Sequence, residues 1–553
     1  MIDAAAFDVT VVGSGPGGGA MAWRLADRGF RVLVIEAGPA FDPDKDYLLH
    51  TEKWERPLPP KTGSKGRQSF APMQAIESEW NDLRSWNSVR GALNPGAIRL
   101  PAGTGYHHVR GVGGSTLHFT GEAHRLHPEA MMMRTRFGEA ADWPIDYAGL
   151  EPYYAKAEQI IGVAGPRDTG DRWRSTPYPL PAHELSPASR LLKKGAKSLN
   201  LKWEANARAA LSRPYDDRPQ CNYCGNCTRG CPRQDKGSVD VTFIRKALRT
   251  GRCTVLPEST VTRIVSTERR RASHVEVRDR EGQLHRLPVK HLVIACGAIE
   301  TPRLLLASAS SYAPNGVANE SGMVGRNLME SLGWVSTGIV SDDIRSFMGL
   351  PADSICWDFN KPDSIPGVRG GCRFSSAIHE AEMNGPIAYA QRVIKGWGTQ
   401  HKQKMRLTVG HAVSVGSMGE FLPNARTFVD LDPREKDAHG IPLARIHSWL
   451  GEQEIMRLRF MATTCRKILR AAGVSELVEE YGTADFFSST HVFGTCRMGS
   501  DARDSVVDAH CQSHTWENLY ICDASVFPSS GGGESPSLTI EALAIRAADK
   551  FLA

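Results

Sequence analysis

The sequence predicts an α/β protein, with α+β character over the whole chain. Residues 7–12 form a short β-branched run that leads into a glycine-rich turn and a helical pattern, and residues 31–35 form a second apolar run. Strand, turn, helix and strand within about thirty residues are typical of a βαβ unit in a parallel sheet. Residues 291–297 are a third such run followed by a helical pattern, whereas residues 254–290 show strands broken by turns.

The composition excludes several classes of protein. The chain has 67 Lys and Arg against 61 Asp and Glu, a net charge of +6 over 553 residues, and no run of five or six basic residues. We therefore expect no nucleic-acid partner. No stretch of 18 apolar residues occurs, which predicts no transmembrane segment. The first residues lack the basic and apolar regions of an export signal, so we expect a cytoplasmic location unless a partner carries the chain out.

The glycine-rich turn has the pattern of a dinucleotide site. Gly13, Gly15 and Gly18 form G-x-G-x-x-G between the first strand and the first helix. The first glycine permits the tight turn, the second lets the backbone approach a pyrophosphate, and the third lets helix and strand pack closely. Glu36, at the end of the second strand, is placed to accept a hydrogen bond from a ribose. The alternative is a tight turn without a ligand, and the motif alone does not separate NAD from FAD.

A second motif is a group of closely spaced cysteines, Cys221, Cys224, Cys227 and Cys231, the last followed by a proline. The spacing C-x2-C-x2-C-x3-C-P is that of bacterial ferredoxins, whereas zinc ribbons need two more widely separated C-x2-C pairs. It predicts an iron–sulfur cluster. Because the fourth cysteine of two-cluster ferredoxins binds the other cluster, both [4Fe–4S] and [3Fe–4S] stay open. The alternative is a thiol loop without metal.

Four separated blocks carry a resemblance to a known family. They are the glycine turn; Arg-Gly-Val-Gly-Gly-Ser-Thr-Leu-His at 110–118; Ala-Cys-Gly-Ala-Ile-Glu-Thr-Pro at 295–302 with Val-Gly-Arg-Asn-Leu at 324–328; and His-Val-Phe-Gly-Thr-Cys-Arg-Met-Gly at 491–499 with the segments at 518–528 and 536–540. The four blocks occur in the order in which they are found in the glucose–methanol–choline (GMC) flavoprotein oxidoreductases, the family that the chain resembles.

The resemblance implies two discontinuous domains. A Rossmann-like FAD-binding domain would comprise residues 1–135, 221–340 and 485–553, including the cysteine loop 221–232. A substrate-binding domain on a mixed or antiparallel sheet would comprise residues 136–220 and 341–484. The residues expected at the flavin are Arg110, Gly113, Gly114, Ser115, His118 and Asp523. In some relatives a histidine in the slot of His118 is covalently bonded to the flavin; the alternative is a histidine that packs near the ring without a bond.

The resemblance also implies the catalytic residues. The histidine of His-x-x-Gly-Thr-Cys, here His491, is the base that takes the hydroxyl proton. The family supplies a second polar residue, Asn or His, just before a C-terminal proline. This chain departs from that pattern: Ser535 occupies the slot and Glu534 is the neighbouring alternative. The second catalytic residue is therefore either of these two, or a glycine-rich turn whose N–H groups act instead.

Together these features predict an FAD-dependent alcohol dehydrogenase that oxidises a hydroxyl group of a sugar, polyol or related alcohol. The resemblance extends in part to iron–sulfur-containing large subunits of sugar and sugar-acid dehydrogenases. It implies that electrons leave through the cluster to a redox partner, such as a small subunit and a cytochrome. It also makes periplasmic location by co-export with a signal-bearing partner an alternative to the cytoplasm. Rival functions are a cluster-free alcohol or sterol oxidase that uses O2, a lyase of the same fold, and an electron-transfer subunit with a silent site.

Overall fold

A computed structural model describes residues 4–47, 67–101, 108–167, 170–268, 270–379, 381, 383, 385–487 and 491–552. Its longer α-helices are Pro16–Asp27, Tyr147–Ile161, Pro187–Ser198, Gly297–Ala307, Gly398–Thr408, Glu452–Ala471 and Ser537–Asp549. Shorter α-helices span Pro43–Asp46, Met133–Phe137, Arg245–Arg249 and Pro386–Ala388. Single 3-10 turns lie at Ala4–Ala6, Ser78–Leu83, Gly114–Leu117, Pro128–Met131, Cys227–Arg229 and Ala524–Val526, and π-helical turns at Asp240–Ile244 and Tyr389–Val393.

A five-stranded parallel sheet forms the centre of the nucleotide-binding half, as the sequence predicts. Its order is Leu519–Ile521, His291–Ile294, Val9–Val12, Val32–Ile35, Cys253–Leu256. The first two strands in the chain are fully buried, in keeping with their continuous β-branched sequence. Helix Pro16–Asp27 connects them and packs against helix Ser537–Asp549. The α/β class and the Rossmann-like unit are confirmed.

A large antiparallel sheet covers the other side of the molecule. It has eight strands in the order Gly91–Ala92, Trp86–Asn87, Glu476–Gly482, Leu332–Ile339, Ala412–Gly419, Cys372–Ser376, Ser354–Cys356, Glu204–Ala205. Helix Glu452–Ala471 packs on Leu332–Ile339 and Ala412–Gly419. The sheet and this helix build the second half of the protein.

Smaller sheets complete the architecture. Thr260–Val265, His274–Arg278 and Leu284–Pro288 form an antiparallel meander, and Phe428–Lys436 pairs with Pro442–His447, which is joined by Ser69–Phe70. Two strand pairs are Met329–Glu330 with Val492–Phe493 and Ala164–Gly165 with Leu180–Pro181. Among the helices of the described residues, none is both long enough and apolar enough to cross a bilayer.

The sheets depart from the predicted domain segments at two places. Leu332–Ile339, assigned to 221–340, pairs residue by residue with Ala412–Gly419 in the antiparallel sheet. Trp86–Asn87 and Gly91–Ala92, assigned to 1–135, lie at the edge of that sheet. Strand pairing depends on residues far apart in the chain, whereas the motifs that suggest the domain boundaries are local. The division into two discontinuous domains with the predicted boundaries stays a proposal.

Candidate active site

A cavity of about 850 Å³ lies between the two halves. One side is formed by residues that follow the parallel strands, among them Gly13, Cys296 and Asp523. Ligands of open parallel sheets bind beyond the carboxyl ends of the strands, as this cavity does. The opposite side comes from the antiparallel sheet and includes Trp334, Arg373 and Met418. The cavity therefore spans the predicted cofactor site and the predicted catalytic site.

The glycine turn approaches this cavity with bare backbone. Gly13 and Gly15 line it, and Gly13 has φ +95°, a conformation that favours glycine. A Cβ atom at Gly13 would lie 2.5 Å from the carbonyl oxygen of Ala295. Gly18 does not line the cavity; a Cβ there would overlap the Gly13 carbonyl and press on Val11. The third glycine thus permits close packing of helix and strand, the role that the motif assigns to it.

Glu36 lies at the same end of the cavity and is buried. Its Oε2 accepts hydrogen bonds from Ser14 N (3.0 Å) and Ser14 Oγ (2.7 Å), and its Oε1 from Gly38 N (2.9 Å) and Gly111 N (3.1 Å). Burial raises the pKa of this carboxyl, and the four donors oppose the rise. Glu36 therefore ties the glycine turn to the segment that begins at Arg110. Its contact with a ribose stays a prediction.

The segment 110–118 packs directly on the glycine turn. Gly113 N donates to Ser14 Oγ (3.1 Å), and a Cβ at Gly114 would lie 2.7 Å from Gly15 Cα. Gly113 has φ +108° and Gly114 φ +56°. The two glycines thus permit a contact between two backbones, although Gly113 itself does not line the cavity.

The side chains of this segment reach the cavity. Arg110, Ser115 and His118 line it, and His118 is buried. The Arg110 guanidinium lies 3.8 Å from a carboxylate oxygen of Glu300, which also lines the cavity. These positions agree with the flavin contacts that the sequence predicts, which stay predictions. The covalent bond between His118 and the flavin also stays a prediction. It would be established if the yellow colour of the flavin stayed in the pellet after acid precipitation of the protein, and if this colour were lost from the pellet of His118→Ala.

A methyl group at Gly114 is expected to weaken flavin binding. In Gly114→Ala the added carbon would meet Gly15 at 2.7 Å and strain a residue at φ +56°, so the segment 110–118 must move away from the glycine turn. Strain of this kind costs about 1–3 kcal/mol, which corresponds to roughly a 5- to 150-fold loss of affinity. Flavin content of the purified protein and FAD titration measure it. Gly138→Ala, at φ +74° with open space around it, is the control and should keep its flavin.

Asp523 joins two helix starts at the cavity wall. Its Oδ2 accepts from Gly297 N (2.9 Å) and Thr301 Oγ1 (2.6 Å), and its Oδ1 from Ser525 N (2.8 Å). Burial raises the pKa of the carboxyl, while these donors oppose the rise. The residue lines the cavity, as the resemblance implies. Through these hydrogen bonds Asp523 fixes the backbone at the points where two of the parallel strands end and the helices after them begin.

His491 reaches the cavity from the short strand pair that follows it. Val492 pairs with Glu330, and Ser331 N donates to the His491 carbonyl oxygen (3.0 Å). Burial lowers the pKa of the imidazole to about 4; the charge of Arg373 lowers it further and that of Glu122 opposes the change. The imidazole is therefore neutral at physiological pH, the form that accepts a proton.

A buried network that the sequence analysis missed surrounds Ser535. Glu122 Oε2 accepts from Ser535 Oγ (2.9 Å) and from the Arg373 guanidinium (2.7 Å), and Glu122 Oε1 accepts from Asn206 Nδ2 (2.9 Å). Ser535 N donates to His124 Nδ1 (3.1 Å), whose Nε2 lies 2.8 Å from Asn206 Oδ1. Arg373 holds the pKa of the Glu122 carboxyl well below its usual range despite burial. Glu122, Arg373 and Ser535 line the cavity with His491.

Glu534 does not line the cavity. Its Oε1 accepts from Arg172 (2.7 Å) and from His127 N (3.1 Å) inside the protein. The Arg172 cation lowers the pKa of this buried carboxyl. Ser535 therefore lines the cavity, whereas Glu534 forms an ion pair with Arg172 away from it; which of the two is the second catalytic residue stays a prediction.

The cysteine loop does not form a metal site as it is arranged. Within the described ranges, no three or more His, Cys, Asp or Glu side chains are grouped so that they could hold a metal ion. Cys221 and Cys227 are buried and Cys224 is exposed. Burial raises the pKa of Cys227 and of Cys231 to about 11, and the thiols of Cys221 and Cys231 donate to the Asp235 carboxylate. The iron–sulfur cluster predicted from the spacing of these cysteines stays a prediction.

Comparison with known proteins agrees with this geometry. Models described as GMC oxidoreductase match residues 129–332 and 423–544, and one of an NAD(P)-binding Rossmann-like domain matches residues 11–41. The chain is 29% identical to the fructose dehydrogenase large subunit of Gluconobacter japonicus, over 99% of this chain and 97% of that one. It is 28% identical to 2-methyl-1,2-propanediol dehydrogenase of Mycolicibacterium austroafricanum, over 98% and 94%.

A paromamine 6'-oxidase of Streptomyces fradiae is 27% identical over 98% of this chain and 90% of its own length. Among solved structures, pyridoxine 4-oxidase from Mesorbium loti superposes with a TM-score of 0.62 over 99% of both chains at 19% identity, which shows the fold alone. The cavity is built from the same segments that carry the family's motifs, and both halves of the family's sequence pattern match in order. The protein belongs to the GMC oxidoreductase family.

Proposed function

We propose that the protein oxidises a CH–OH group of a sugar or polyol, with His491 as the base and Ser535 beside it. As a GMC oxidoreductase it is an enzyme that acts on alcohol or sugar-type substrates. The observation that carries the proposal is one cavity that is lined both by the glycine turn and by His491, whose imidazole is neutral. A base and a cofactor site that share one space are what alcohol oxidation needs.

FAD, which the family implies, fits the residues present. Gly13, Gly15 and Gly114 bring bare backbone to the cavity wall, and the N-terminus of helix Pro16–Asp27, which favours phosphate groups, lies at the same wall. Ser115, His118 and Asp523 would hold the rest of the cofactor. When bound, FAD supplies the acceptor for the hydride of the alcohol carbon.

The protein's own part in the reaction is the handling of the hydroxyl proton. His491 accepts this proton on an imidazole nitrogen as the carbon–hydrogen bond breaks. Burial disfavours the imidazolium that results, and the Glu122 carboxylate favours it. The ion pair with Arg373 keeps Glu122 ionised throughout. Burial thus keeps the histidine neutral at rest, and the charge of Glu122 keeps it able to accept a proton.

The pH profile should show the lowered pKa of His491. A base is inactive once protonated, so kcat/KM is expected to fall on the acid side only near pH 4 and to stay flat above about pH 5.5. An unperturbed histidine would place the acid limb near its usual pKa of about 6.5. In Glu122→Gln the limb should move to lower pH, because the charge that raises the pKa of His491 is gone. A limb near pH 6.5 in the wild type would contradict the assignment.

The function itself is tested by anaerobic flavin reduction. A panel of sugars, polyols and simple alcohols is mixed with the FAD-loaded enzyme without oxygen, and loss of the oxidised flavin absorbance is followed. Bleaching by at least one alcohol supports the proposal. A carbonyl product without bleaching would favour the lyase, and no response to any member would favour a silent subunit.

The electron acceptor is a separate proposal. Relatives named as dehydrogenases and as oxidases are about equally similar to this chain. The spacing of the cysteines supports an iron–sulfur cluster with a redox partner, such as a small subunit and a cytochrome. Thr228, inside the loop, lines the cavity, so the loop lies near the cofactor site.

Iron and acid-labile sulfide per flavin, measured on anaerobically purified protein, decide between the two acceptors. About three or four irons per flavin, lost in Cys227→Ser, would establish the cluster. No iron, with hydrogen peroxide formed during turnover, would establish an oxidase and leave the four cysteines as a thiol loop.

A further inference from the structure

Among the described residues, Glu122 has one acceptor position without a protein donor. A carboxylate offers about four lone-pair positions. Ser535 Oγ, Arg373 and Asn206 Nδ2 occupy three of them, two on Oε2 and one on Oε1. The residue lines the cavity, although only 7% of its surface is exposed. The fourth position, on Oε1, is the one that a hydroxyl group of a molecule in the cavity would use.

Ser535 presents the same kind of group. Its hydroxyl hydrogen is directed to Glu122 Oε2 at 2.9 Å, so the lone pairs of Oγ remain for a donor in the cavity. In the family pattern this slot holds Asn or His, whose side chains can donate to the substrate oxygen. Here the hydrogen is already engaged, and the slot offers an acceptor instead.

The cation beside them is engaged mostly by the protein. Arg373 Nε donates to the Gly533 carbonyl (2.8 Å), its NH1 to Ser375 Oγ (2.8 Å), and its NH2 to Glu122 (2.7 Å) and Met418 Sδ (3.3 Å). With the guanidinium directed at protein acceptors and a carboxylate facing the cavity, this end of the site suits neutral groups that donate hydrogen bonds. Hydroxyl groups fit that description, whereas a substrate carboxylate would meet the charge of Glu122.

We propose that Glu122 and Ser535 form a binding subsite for a second hydroxyl group of the substrate, next to the one that His491 deprotonates. The proposal rests on the proposed function and deepens it by naming the substrate class. The reacting hydroxyl donates to His491, and the hydroxyl on a neighbouring carbon donates to Glu122 and Ser535. The enzyme then selects vicinal diols and polyols over alcohols with a single hydroxyl group.

A matched pair of substrates tests the subsite. Propane-1,2-diol and propan-2-ol carry the same secondary alcohol and differ by one hydroxyl group. We expect kcat/KM for flavin reduction to be at least about ten-fold higher for the diol, because a buried acceptor left without a donor penalises the mono-alcohol. Ser535→Ala and Glu122→Gln should reduce the ratio to within about three-fold, mainly through KM for the diol. Glu534→Gln, the neighbouring carboxyl that does not line the cavity, should keep the wild-type ratio.

The outcomes separate the two proposals. A wild-type ratio near one, with both alcohols oxidised, would overturn the subsite and leave the function intact. A ratio that survives both substitutions would also overturn it. No flavin reduction by any alcohol would instead overturn the proposed function. The pH dependence of kcat/KM gives a second reading: the acid limb should keep its position in Ser535→Ala, because Ser535 carries no charge to act on His491.

Discussion

His491→Ala is expected to lower the rate of flavin reduction by roughly 10²–10⁴-fold, the usual contribution of a positioned base. The substitution removes the imidazole proposed to take the hydroxyl proton, while His108 and His118, which also line the cavity, keep their side chains. Stopped-flow measurement under anaerobic conditions separates this step from the later transfer of electrons. The acid limb of the pH profile should disappear with the side chain, since it reports the pKa of His491.

The matched control is His510→Asn. His510 lies in the same C-terminal part of the chain but is exposed, and it does not line the cavity. Its substitution should leave both the rate and the flavin content unchanged. If His491→Ala turned over as fast as the wild type while retaining its flavin, the assignment of the base would fail. If His491→Ala lost its flavin, the rate of flavin reduction would be compared between the wild type and His491→Asn instead, because asparagine keeps a polar side chain in the place of the imidazole.

The nucleotide half could be predicted because its determinants are local. Gly13, Gly18 and Glu36 lie within 24 residues, and Gly18 and Glu36 both contact the first strand or the turn that follows it. The active-site pair could not be predicted in this way. Glu122 and Arg373 are 251 residues apart, and neither residue belongs to a pattern that shows its partner. Only the folded antiparallel sheet brings them together.

The choice between Ser535 and Glu534 depends on backbone conformation. Gly531 at φ +71° and Gly533 at φ +99° turn the chain so that Ser535 faces the cavity and Glu534 meets Arg172. A run of three glycines permits many such paths, so the sequence left both side chains as candidates. The cysteine loop shows a related limit. Its spacing permits a cluster, but spacing alone does not determine whether the thiols meet at one point or bind Asp235.

The buried ion pair between Arg373 and Glu122 should also contribute to the free energy of unfolding of the protein. Arg373→Met removes the cation beside Glu122, and both side chains are almost fully buried. Breaking a buried pair by removing one partner typically costs about 3–5 kcal/mol, because an uncompensated charge is left in the interior. We expect the midpoint of denaturant-induced unfolding at pH 7 to be lower than in the wild type. The loss of the near-ultraviolet circular dichroism signal with increasing denaturant measures this midpoint.

The pH dependence of this loss follows from the sign of the pKa shift. The folded-state pKa of Glu122 lies below its unfolded value, so the pair stabilises the wild type above the unfolded pKa of about 4.5 and less as pH falls below it. In Arg373→Met the pKa of Glu122 rises, so the deficit relative to wild type should be largest at pH 7 and smaller at pH 4.5. The double variant Arg373→Met/Glu122→Gln should recover most of the lost stability while losing the preference for diols. A single variant as stable as the wild type at pH 7 would show that the two charges do not hold this end of the cavity together.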